Sequence, residues 1–241
     1  MSTYVLVHGA AHGGWCYRRV ARILRAAGHD VHAPTLTGLG ERAHLLGPDV
    51  DLDLHVQDVL AVLRTEDLFD VVLAGHSYGG MVVTGVADRA PERIRHLVYL
   101  DAATPVHGEA IIDLAPVAIR EHTQVVDGVE LVHFPDTGSS PIFGVTDPED
   151  AAWVRSKLTP HPYRCFEQPL LLTNEAALNA IPQTQIVCSS ALHGRDPARL
   201  ATARAAGRLW EIDTGHDLMI TEPELVADML MRAPAEISPP S

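Results

Sequence analysis

The chain has 241 residues, with 31 acidic against 18 basic side chains and a formal net charge of −13. This length suits one α/β domain with an insertion, and a hydrophobic content of 46% is sufficient for a well-packed core. The shortage of Lys and Arg leaves no excess to neutralise phosphates, which excludes nucleic acid as an expected partner.

The first half of the chain predicts strands that alternate with helices. An apolar run predicts the first strand at 4–7, and helical spacing over 15–27 ends at Gly28, an expected stop residue. Similar patterns predict strands at 29–33, 70–74 and 94–100, and helices at 50–64 and 81–89. This alternation implies the α/β class, with a mainly parallel sheet covered on both faces.

A Gly-x-Ser-x-Gly pattern lies in Gly75-His76-Ser77-Tyr78-Gly79-Gly80, between a predicted strand and a predicted helix. In that strand–turn–helix context the pattern predicts a nucleophile elbow. The sharp turn strains the backbone of the serine and presents its hydroxyl at the carboxyl end of the sheet. Ser77 is therefore the candidate nucleophile.

The regular alternation stops after Pro105. A helical pattern over 109–122 contains Pro116, and a hairpin is predicted over 124–134, where Asp127-Gly128 separates two β-forming runs. A well-capped helix then opens at 146–150.

Strands and helices resume near residue 184. We expect strands at 184–189 and 209–212, helices at 196–206 and 223–232, and a frayed tail at 237–241. We therefore divide the chain into a core, 1–105 with 181–241, and an inserted cap, 106–180, that covers the elbow.

A serine hydroxyl needs a base within hydrogen-bond reach, and the base needs an acid to orient it. On folds with this elbow the three groups follow one another in the order Ser, acid, His. His216 comes after the last predicted strand, in Asp213-Thr214-Gly215-His216, and is the candidate base. His76 adjoins the serine, but side chains at adjacent positions diverge.

The negative oxygen of a tetrahedral intermediate needs N–H donors. The backbone of Tyr78, directly after the nucleophile, is one expected donor, and that of Ala10, in the Gly-rich loop after the first strand, is the other. Gly9, His12 and Trp15 belong to the same loop and are candidate oxyanion-binding or substrate-binding residues.

The assembled segments resemble the α/β-hydrolase superfamily. Within it, the chain is similar to the small-capped plant methylesterases, hydroxynitrile lyases and their bacterial relatives. The matching segments are Val5-Leu6-Val7-His8-Gly9-Ala10 with His12-Gly13-Gly14-Trp15, the elbow, Leu97-Val98-Tyr99-Leu100-Asp101-Ala102 with Pro105, and Asp213-Thr214-Gly215-His216. The resemblance implies the α/β-hydrolase fold.

Two departures from the lyases of this branch favour ester chemistry. Those lyases carry threonine where Gly9 stands, and a lysine directly after the catalytic histidine, where Asp217 stands. The lysine stabilises departing cyanide, and an acidic side chain cannot do so. We therefore expect ester hydrolysis and not cyanohydrin cleavage.

The sequence leaves three alternatives for the acid that orients His216. In the relatives it follows the penultimate strand, at a position that here holds Ala191. We favour Asp101, because some superfamily members, haloalkane dehalogenases among them, place their acid at the matching point of a similar segment. Asp196 is a second candidate, and a site without an acid is the third alternative.

The main functional hypothesis is a serine carboxylesterase that forms an acyl-enzyme on Ser77 with a small, mostly apolar ester, lactone or thioester. The alternative is a lyase, cyclase or decarboxylase that uses Ser77 and His216 for acid–base work. A non-catalytic small-molecule binder is the least favoured. Candidate pocket residues are Trp15, Tyr78, Phe134, Phe143, Trp153 and Met219.

No cofactor or metal is expected, because the histidines show no metal-binding motif. The three cysteines, Cys16, Cys165 and Cys188, have no paired spacing and suit a reducing compartment. No charged leader or membrane-length apolar run is present. We expect a cytoplasmic protein that acts on a small molecule, with no membrane partner; a homodimer is left open.

Overall fold

A computed structural model describes residues 1–114, 120–134 and 142–235 of the chain. Its strands, in chain order, are β1 (Thr3–Val7), β2 (Asp30–His32), β3 (Val71–His76), β4 (Ile94–Leu100), β5 (Thr123–Val126), β6 (Val129–Val132), β7 (His161–Pro162), β8 (Gln183–Cys188) and β9 (Leu209–Ile212). Its α-helices are α1 (Arg18–Ala26), α2 (Leu52–Thr65), α3 (Gly79–Arg89), α4 (Ile111–Leu114), α5 (Pro148–Arg155), α6 (Arg164–Glu167), α7 (Glu175–Ala180), α8 (Pro197–Ala205), α9 (Leu218–Thr221) and α10 (Pro223–Arg232). Short 3₁₀ segments include Gly14–Tyr17 and Ser189–Gly194.

The central sheet has six parallel strands in the order β2-β1-β3-β4-β8-β9. All six residues of β3 are buried, as expected of a parallel strand that is covered on both faces. The chain leaves β1 toward β2 and then returns to place β3 on the other side of β1. Such a reversal opens a crevice at the carboxyl ends of β1 and β3, where ligands bind in open α/β sheets. The predicted fold class is confirmed.

Helices cover the two faces of the sheet because the side chains of each strand alternate between them. From β1, Tyr4 and Leu6 enter a core shared with α1 and α10, whereas Val5 and Val7 enter a second core shared with α2 and α3. The two apolar layers fix the sheet between the helices, so that the ends of β1, β3 and β4 form a rigid platform.

A second sheet lies within the segment predicted to form the cap. Its three strands are antiparallel, in the order β5-β6-β7. The predicted hairpin is present, and Asp127 and Gly128 have φ values of 51° and 81°, the positive angles that a tight two-residue turn requires. The two-residue strand β7 was not predicted, because a segment of that length has no periodicity. The division into core and cap itself stays a prediction.

The other predicted elements that lie in the described residues occur within a few residues of their expected bounds, with one difference. The first predicted helix is divided into the 3₁₀ segment Gly14–Tyr17 and α1. Of the helix expected over 109–122, Ile111–Leu114 forms α4, and Pro116 lies outside the described residues. The predicted tail at 237–241 is also outside them. No helix in the described ranges is long and apolar enough to cross a membrane.

A buried carboxylate ties the end of the cap segment to the core. Asp88, in the last turn of α3, is 2% exposed. Its oxygens accept the backbone N–H groups of Thr173 at 2.9 Å and Asn174 at 2.7 Å, and also the Thr173 hydroxyl. Through these bonds the segment that leads into α7 is held against α3.

We expect Asp88→Ala to lower the free energy of unfolding by about 1–3 kcal/mol, because buried N–H donors lose their acceptor. Asp53→Ala is the matched control. The Asp53 side chain is more than half exposed and pairs with Arg89 at the surface, so its loss should cost less than about 1 kcal/mol. Urea denaturation measures both; equal losses would contradict the role given to Asp88.

Candidate active site

The serine elbow is built as the sequence predicts. Ser77 follows β3 with a φ of 53°, a left-handed conformation that is strained for a residue with a side chain. Close packing enforces the turn: a Cβ at Gly75 would lie 2.6 Å from the Gly79 carbonyl oxygen, and one at Gly79 would lie 2.7 Å from that of His8. Only glycine fits these two positions, and the serine hydroxyl is left at the carboxyl end of the sheet.

Strand register places Asp101 beside the serine. The parallel strands β3 and β4 are aligned with His76 opposite Leu100, so Ser77 and Asp101 leave the sheet as neighbours. Asp101 also has a positive φ, 43°, which aspartate tolerates better than most residues. Its side chain is thereby directed along the same edge as the hydroxyl.

His216 joins the two groups. It lies in the loop between β9 and α9, and its Nε2 is 2.9 Å from the Ser77 hydroxyl. Its Nδ1 is 2.6 Å from Oδ2 of Asp101. The carboxylate thus accepts the Nδ1 proton and leaves Nε2 free to accept the proton of the serine. The His216 side chain is a third exposed, whereas Asp101 is buried.

Of the alternatives left open by the sequence, the structure brings Asp101 to His216. Asp196 is exposed, and its carboxylate caps α8 by accepting the N–H of Ala198 at 2.8 Å. Burial opposes ionisation of Asp101, but its hydrogen bond and charge interaction with His216, followed by the charge of Arg195, hold its pKa well below the ordinary value. Asp101 is therefore a charged acceptor at neutral pH.

Hydrogen bonds brace the loop after β1, which carries the expected oxyanion donor Ala10. His8 accepts the N–H of Leu36 at Nε2 and donates from Nδ1 to the Gly9 carbonyl oxygen. Burial lowers the pKa of His8 to about 3, so the ring is neutral. Ala11, with a φ of 63°, donates its N–H to Nδ1 of His161. Hydrogen bonds therefore hold the loop after β1 at His8 and at Ala11, on either side of Ala10.

A buried ion pair connects this loop to the loop of His216. His12 donates from Nδ1 to the Ala10 carbonyl oxygen at 2.7 Å and from Nε2 to Oδ2 of Asp217 at 3.0 Å. Because both ring nitrogens donate, His12 is an imidazolium. Burial alone would lower its pKa, but the charge and hydrogen bond of Asp217 outweigh burial and raise it. Burial likewise opposes ionisation of Asp217, and His12 reverses the effect, so the pKa of Asp217 is lowered.

His76 supports His216 from below. Its Nε2 donates to the carbonyl oxygen of His216 at 2.9 Å, and the two rings lie 4.6 Å apart. Burial, followed by the proximity of His216, lowers the pKa of His76 to about 3. His76 is therefore a neutral ring that holds the backbone of His216 by a hydrogen bond. This agrees with the expectation that the side chains of His76 and Ser77 diverge.

A cavity of about 530 Å³ opens beside the serine and the imidazole. This volume is within the range of small-molecule sites. Its wall mixes apolar side chains, Ile111, Leu114 and Leu200, with polar and charged ones, Gln185, Glu109, Asp196, Arg195 and Arg199. Sequence reasoning missed the polar wall, because those residues come from β8, α8, the loop between them and the segment before α4, and share no motif.

None of the residues that the sequence analysis proposed for the pocket lines this cavity. Tyr78 is buried, and its hydroxyl is 3.0 Å from Nδ1 of His55. Trp15 packs edge-on against Trp153 at 5.2 Å. Met219 is fully buried and Phe134 contacts Phe143, whose ring centre is 6.1 Å from that of His216.

One group in the described residues has metal-ligand chemistry. His55, His161 and Cys165 are buried, with ligand atoms within 4.8 Å of one another. The N–H of Ala11 occupies Nδ1 of His161, which leaves the ring proton on Nε2, so neither nitrogen offers a lone pair to a metal ion. Burial raises the pKa of the Cys165 thiol. A neutral hydrogen-bonded cluster fits these groups better than a metal centre.

Comparison with known proteins places the chain among enzymes of one family. The model of the alpha/beta hydrolase family matches residues 4–229. A carbendazim hydrolyzing esterase from Nocardioides sp. (strain SG-4G) is 40% identical over 245 residues, which cover 95% of this chain and 98% of that protein. A pyrethroid hydrolase from Sphingobium wenxiniae is 36% identical over 106 residues, 43% of this chain and 37% of that protein.

The fold has close neighbours among solved structures. An extracellular alpha/beta-hydrolase from a Paenibacillus species superposes with a TM-score of 0.81 and 22% identity, over 97% of this chain and 99% of that one. At this identity the likeness extends to the fold.

We expect Asp217→Asn to lower the free energy of unfolding by about 3–5 kcal/mol, because the His12 imidazolium loses its buried counter-ion. The exposed Asp213, on the same loop, provides the control Asp213→Asn, which should be neutral within about 0.5 kcal/mol.

The effect of Asp217→Asn should also depend on pH, with a sign fixed by the two shifts. The raised pKa of His12 gives stability that is complete below its ordinary value of 6.5 and is lost as pH rises through the folded value. The lowered pKa of Asp217 gives stability that is complete above its ordinary value of 3.8 and is lost as pH falls through the folded value. Denaturation series from pH 3 to 9 should show the largest difference from the parent chain between those ordinary values; a pH-independent difference would contradict the ion pair.

Proposed function

The chain belongs to the alpha/beta hydrolase family, and we propose that it is a serine carboxylesterase whose nucleophile is Ser77, whose base is His216 and whose acid is Asp101. The observation that carries the proposal is the continuous hydrogen-bonded path from the Ser77 hydroxyl through His216 to Asp101. Relatives named as esterases or hydrolases support the reaction class.

The reaction begins with attack of the Ser77 oxygen on the ester carbonyl carbon, while Nε2 of His216 takes the hydroxyl proton. The negative oxygen that forms is bound by the backbone N–H groups of Tyr78 and Ala10. The imidazolium then gives its proton to the leaving alcohol, and the acyl group remains on Ser77. Water, activated by the same imidazole, releases the acid and restores the serine.

Asp101 acts in this scheme without touching the substrate. Its negative charge stabilises the imidazolium, and its hydrogen bond keeps the proton of the neutral ring on Nδ1. A carboxylate with a lowered pKa remains ionised throughout the pH range in which a histidine can act as a base. The acidic loss of activity should therefore arise from protonation of the imidazole and not of Asp101.

The substrate is a small ester that fits the cavity beside Ser77. The mixed wall suits an ester with an apolar body and at least one hydrogen-bonding group, which Gln185 or an arginine can meet. Carbendazim belongs among the first compounds to test, because the 40% identical relative is named for its hydrolysis.

Two expectations about the whole molecule are retained in the proposal. The cytoplasmic location is proposed because the cysteines are sparse and unpaired. The homodimer, which the sequence leaves open, can be tested by sedimentation equilibrium. The lyase, cyclase or decarboxylase alternative depended on the absence of an acid for His216. Since Asp101 accepts the Nδ1 proton at 2.6 Å, that argument for the alternative is removed.

Treatment with a fluorophosphonate, followed by peptide mass spectrometry, should find the adduct on Ser77. Ser77→Ala should remain unlabelled and lose turnover of p-nitrophenyl esters of several chain lengths. An adduct on another residue, or no adduct on the folded parent chain, would contradict the acyl-enzyme mechanism.

Asp101→Asn should lower kcat by about 10⁴-fold while the fold is retained, because the amide presents a donor to Nδ1 and selects the wrong tautomer. Asp196→Asn tests the other candidate acid: its carboxylate caps a helix and does not contact His216, and since it lines the cavity, its loss should alter KM more than kcat. It should keep kcat within about threefold of the parent. Full activity of Asp101→Asn would show that the acid is assigned wrongly.

A further inference from the structure

In the relatives, the loop after β8 carries the acid of the triad. Here the same loop carries Arg195, a cation that binds Asp101. The 3₁₀ segment Ser189–Gly194 carries Ala191 and leads directly into Arg195. The guanidinium of Arg195 donates from one nitrogen to Oδ1 of Asp101 at 2.6 Å and from another to the carbonyl oxygen of Ala102 at 2.6 Å. Its side chain is 22% exposed, so the bonds are largely shielded from water.

The two oxygens of Asp101 are divided between different partners. Oδ2 faces Nδ1 of His216, whereas Oδ1 accepts from Arg195 and from the backbone N–H of Cys188 at 3.3 Å. Rotation of the carboxylate would break bonds on both sides. The rigid, planar fork of arginine is suited to this task, because it meets a carboxylate and a carbonyl at once.

We propose that Arg195 is a positioning residue of the triad, which holds the Asp101 carboxylate toward His216 and sets the pH range in which the imidazole acts as a base. The proposal rests on the proposed esterase mechanism. It assigns a role in catalysis to a side chain that touches neither the serine nor the imidazole.

The charge of Arg195 opposes the effect of Asp101 on the imidazole. A carboxylate that already pairs with a cation attracts the imidazolium less strongly, so the ring binds its proton less readily. Removal of Arg195 should therefore move protonation of the ring to higher pH, and the acidic limb of the rate profile with it.

The other ionisable groups beside Asp101 and His216 are neutral or already paired, so we assign the effect on protonation of the imidazole to Arg195. His76 is neutral at neutral pH because burial lowers its pKa to about 3. The Cys188 thiol is also neutral, since burial raises its pKa to about 12. Asp217 is charged, but the His12 imidazolium neutralises it at 3.0 Å.

Two substitutions separate position from charge. Arg195→Met removes the charge and both donors at similar length, and Arg195→Lys keeps the charge but not the fork. We expect Arg195→Met to lower kcat by up to about 10²-fold through misplacement of the acid, and to move the acidic limb of kcat/KM upward by about one pH unit. Arg195→Lys should leave the limb within about half a pH unit of the parent, with an intermediate kcat.

The matched control is Arg89→Gln. Arg89 is also partly buried and paired with an aspartate, Asp53, and it lies at the opposite end of α3 from the serine elbow. It should leave kcat and the acidic limb unchanged. Guanidinium ion added to Arg195→Ala, in which the side chain is truncated, should restore part of the lost kcat, because it can occupy the vacated space beside Asp101. A merely structural arginine would alter the melting temperature of the variants without moving the limb.

A second readout does not depend on turnover. The Nδ1 proton of His216, held by a carboxylate, should give a far-downfield proton NMR resonance, which we expect to shift or broaden in Arg195→Met and to persist in Arg89→Gln. If the parent chain is not labelled by fluorophosphonate, the esterase proposal fails while this resonance still tests Arg195. An unchanged resonance and an unchanged acidic limb in Arg195→Met would overturn the inference; if that variant does not fold, Arg195→Lys with parental kcat would overturn it.

Discussion

The hydrogen bond from His216 to Asp101 depends on the parallel register of β3 and β4. Because His76 stands opposite Leu100, the residues that follow them leave the sheet side by side. A single imidazole can then reach a hydroxyl and a carboxylate at once. Both Ser77 and Asp101 adopt left-handed backbone angles at this edge. The strain is sustained by two apolar cores that fix the strands from both faces.

The buried ionisable side chains around the site are either paired with an opposite charge or neutral. Each buried carboxylate that borders the imidazole has a cation of its own: Arg195 for Asp101 and His12 for Asp217. The buried rings of His8, His55, His76 and His161 are neutral because burial lowers their pKa, and each forms a hydrogen bond with a backbone group. The result is a site in which the loops after β1, β8 and β9 are tied to one another through side chains, and the proposed triad lies where they meet.

The cavity gives the site its chemical character. One side is the edge of the sheet with Ser77 and His216, and the other is built by α4, α8 and the segment after β8. Arg195 belongs to both the cavity wall and the support of Asp101. In the proposed mechanism, a substrate would therefore lie against the same side chain that is proposed to orient the acid.

The sequence by itself determined the elements that depend on local pattern. Period, glycine position and strand–turn–helix context identified β3, the elbow and Ser77, because a sharp turn between a buried strand and a helix tolerates few residues. Chain order was enough to select His216. The partner of His216 could not be read in this way, since Asp101 and Asp196 are both acidic residues near predicted strand ends. Only the tertiary structure decided between them, because the register of two strands distant in sequence determines which carboxylate faces the ring. The ion pair of His12 with Asp217 and the contact of Arg195 with Asp101 join residues 205 and 94 positions apart, and no local pattern carries such a contact.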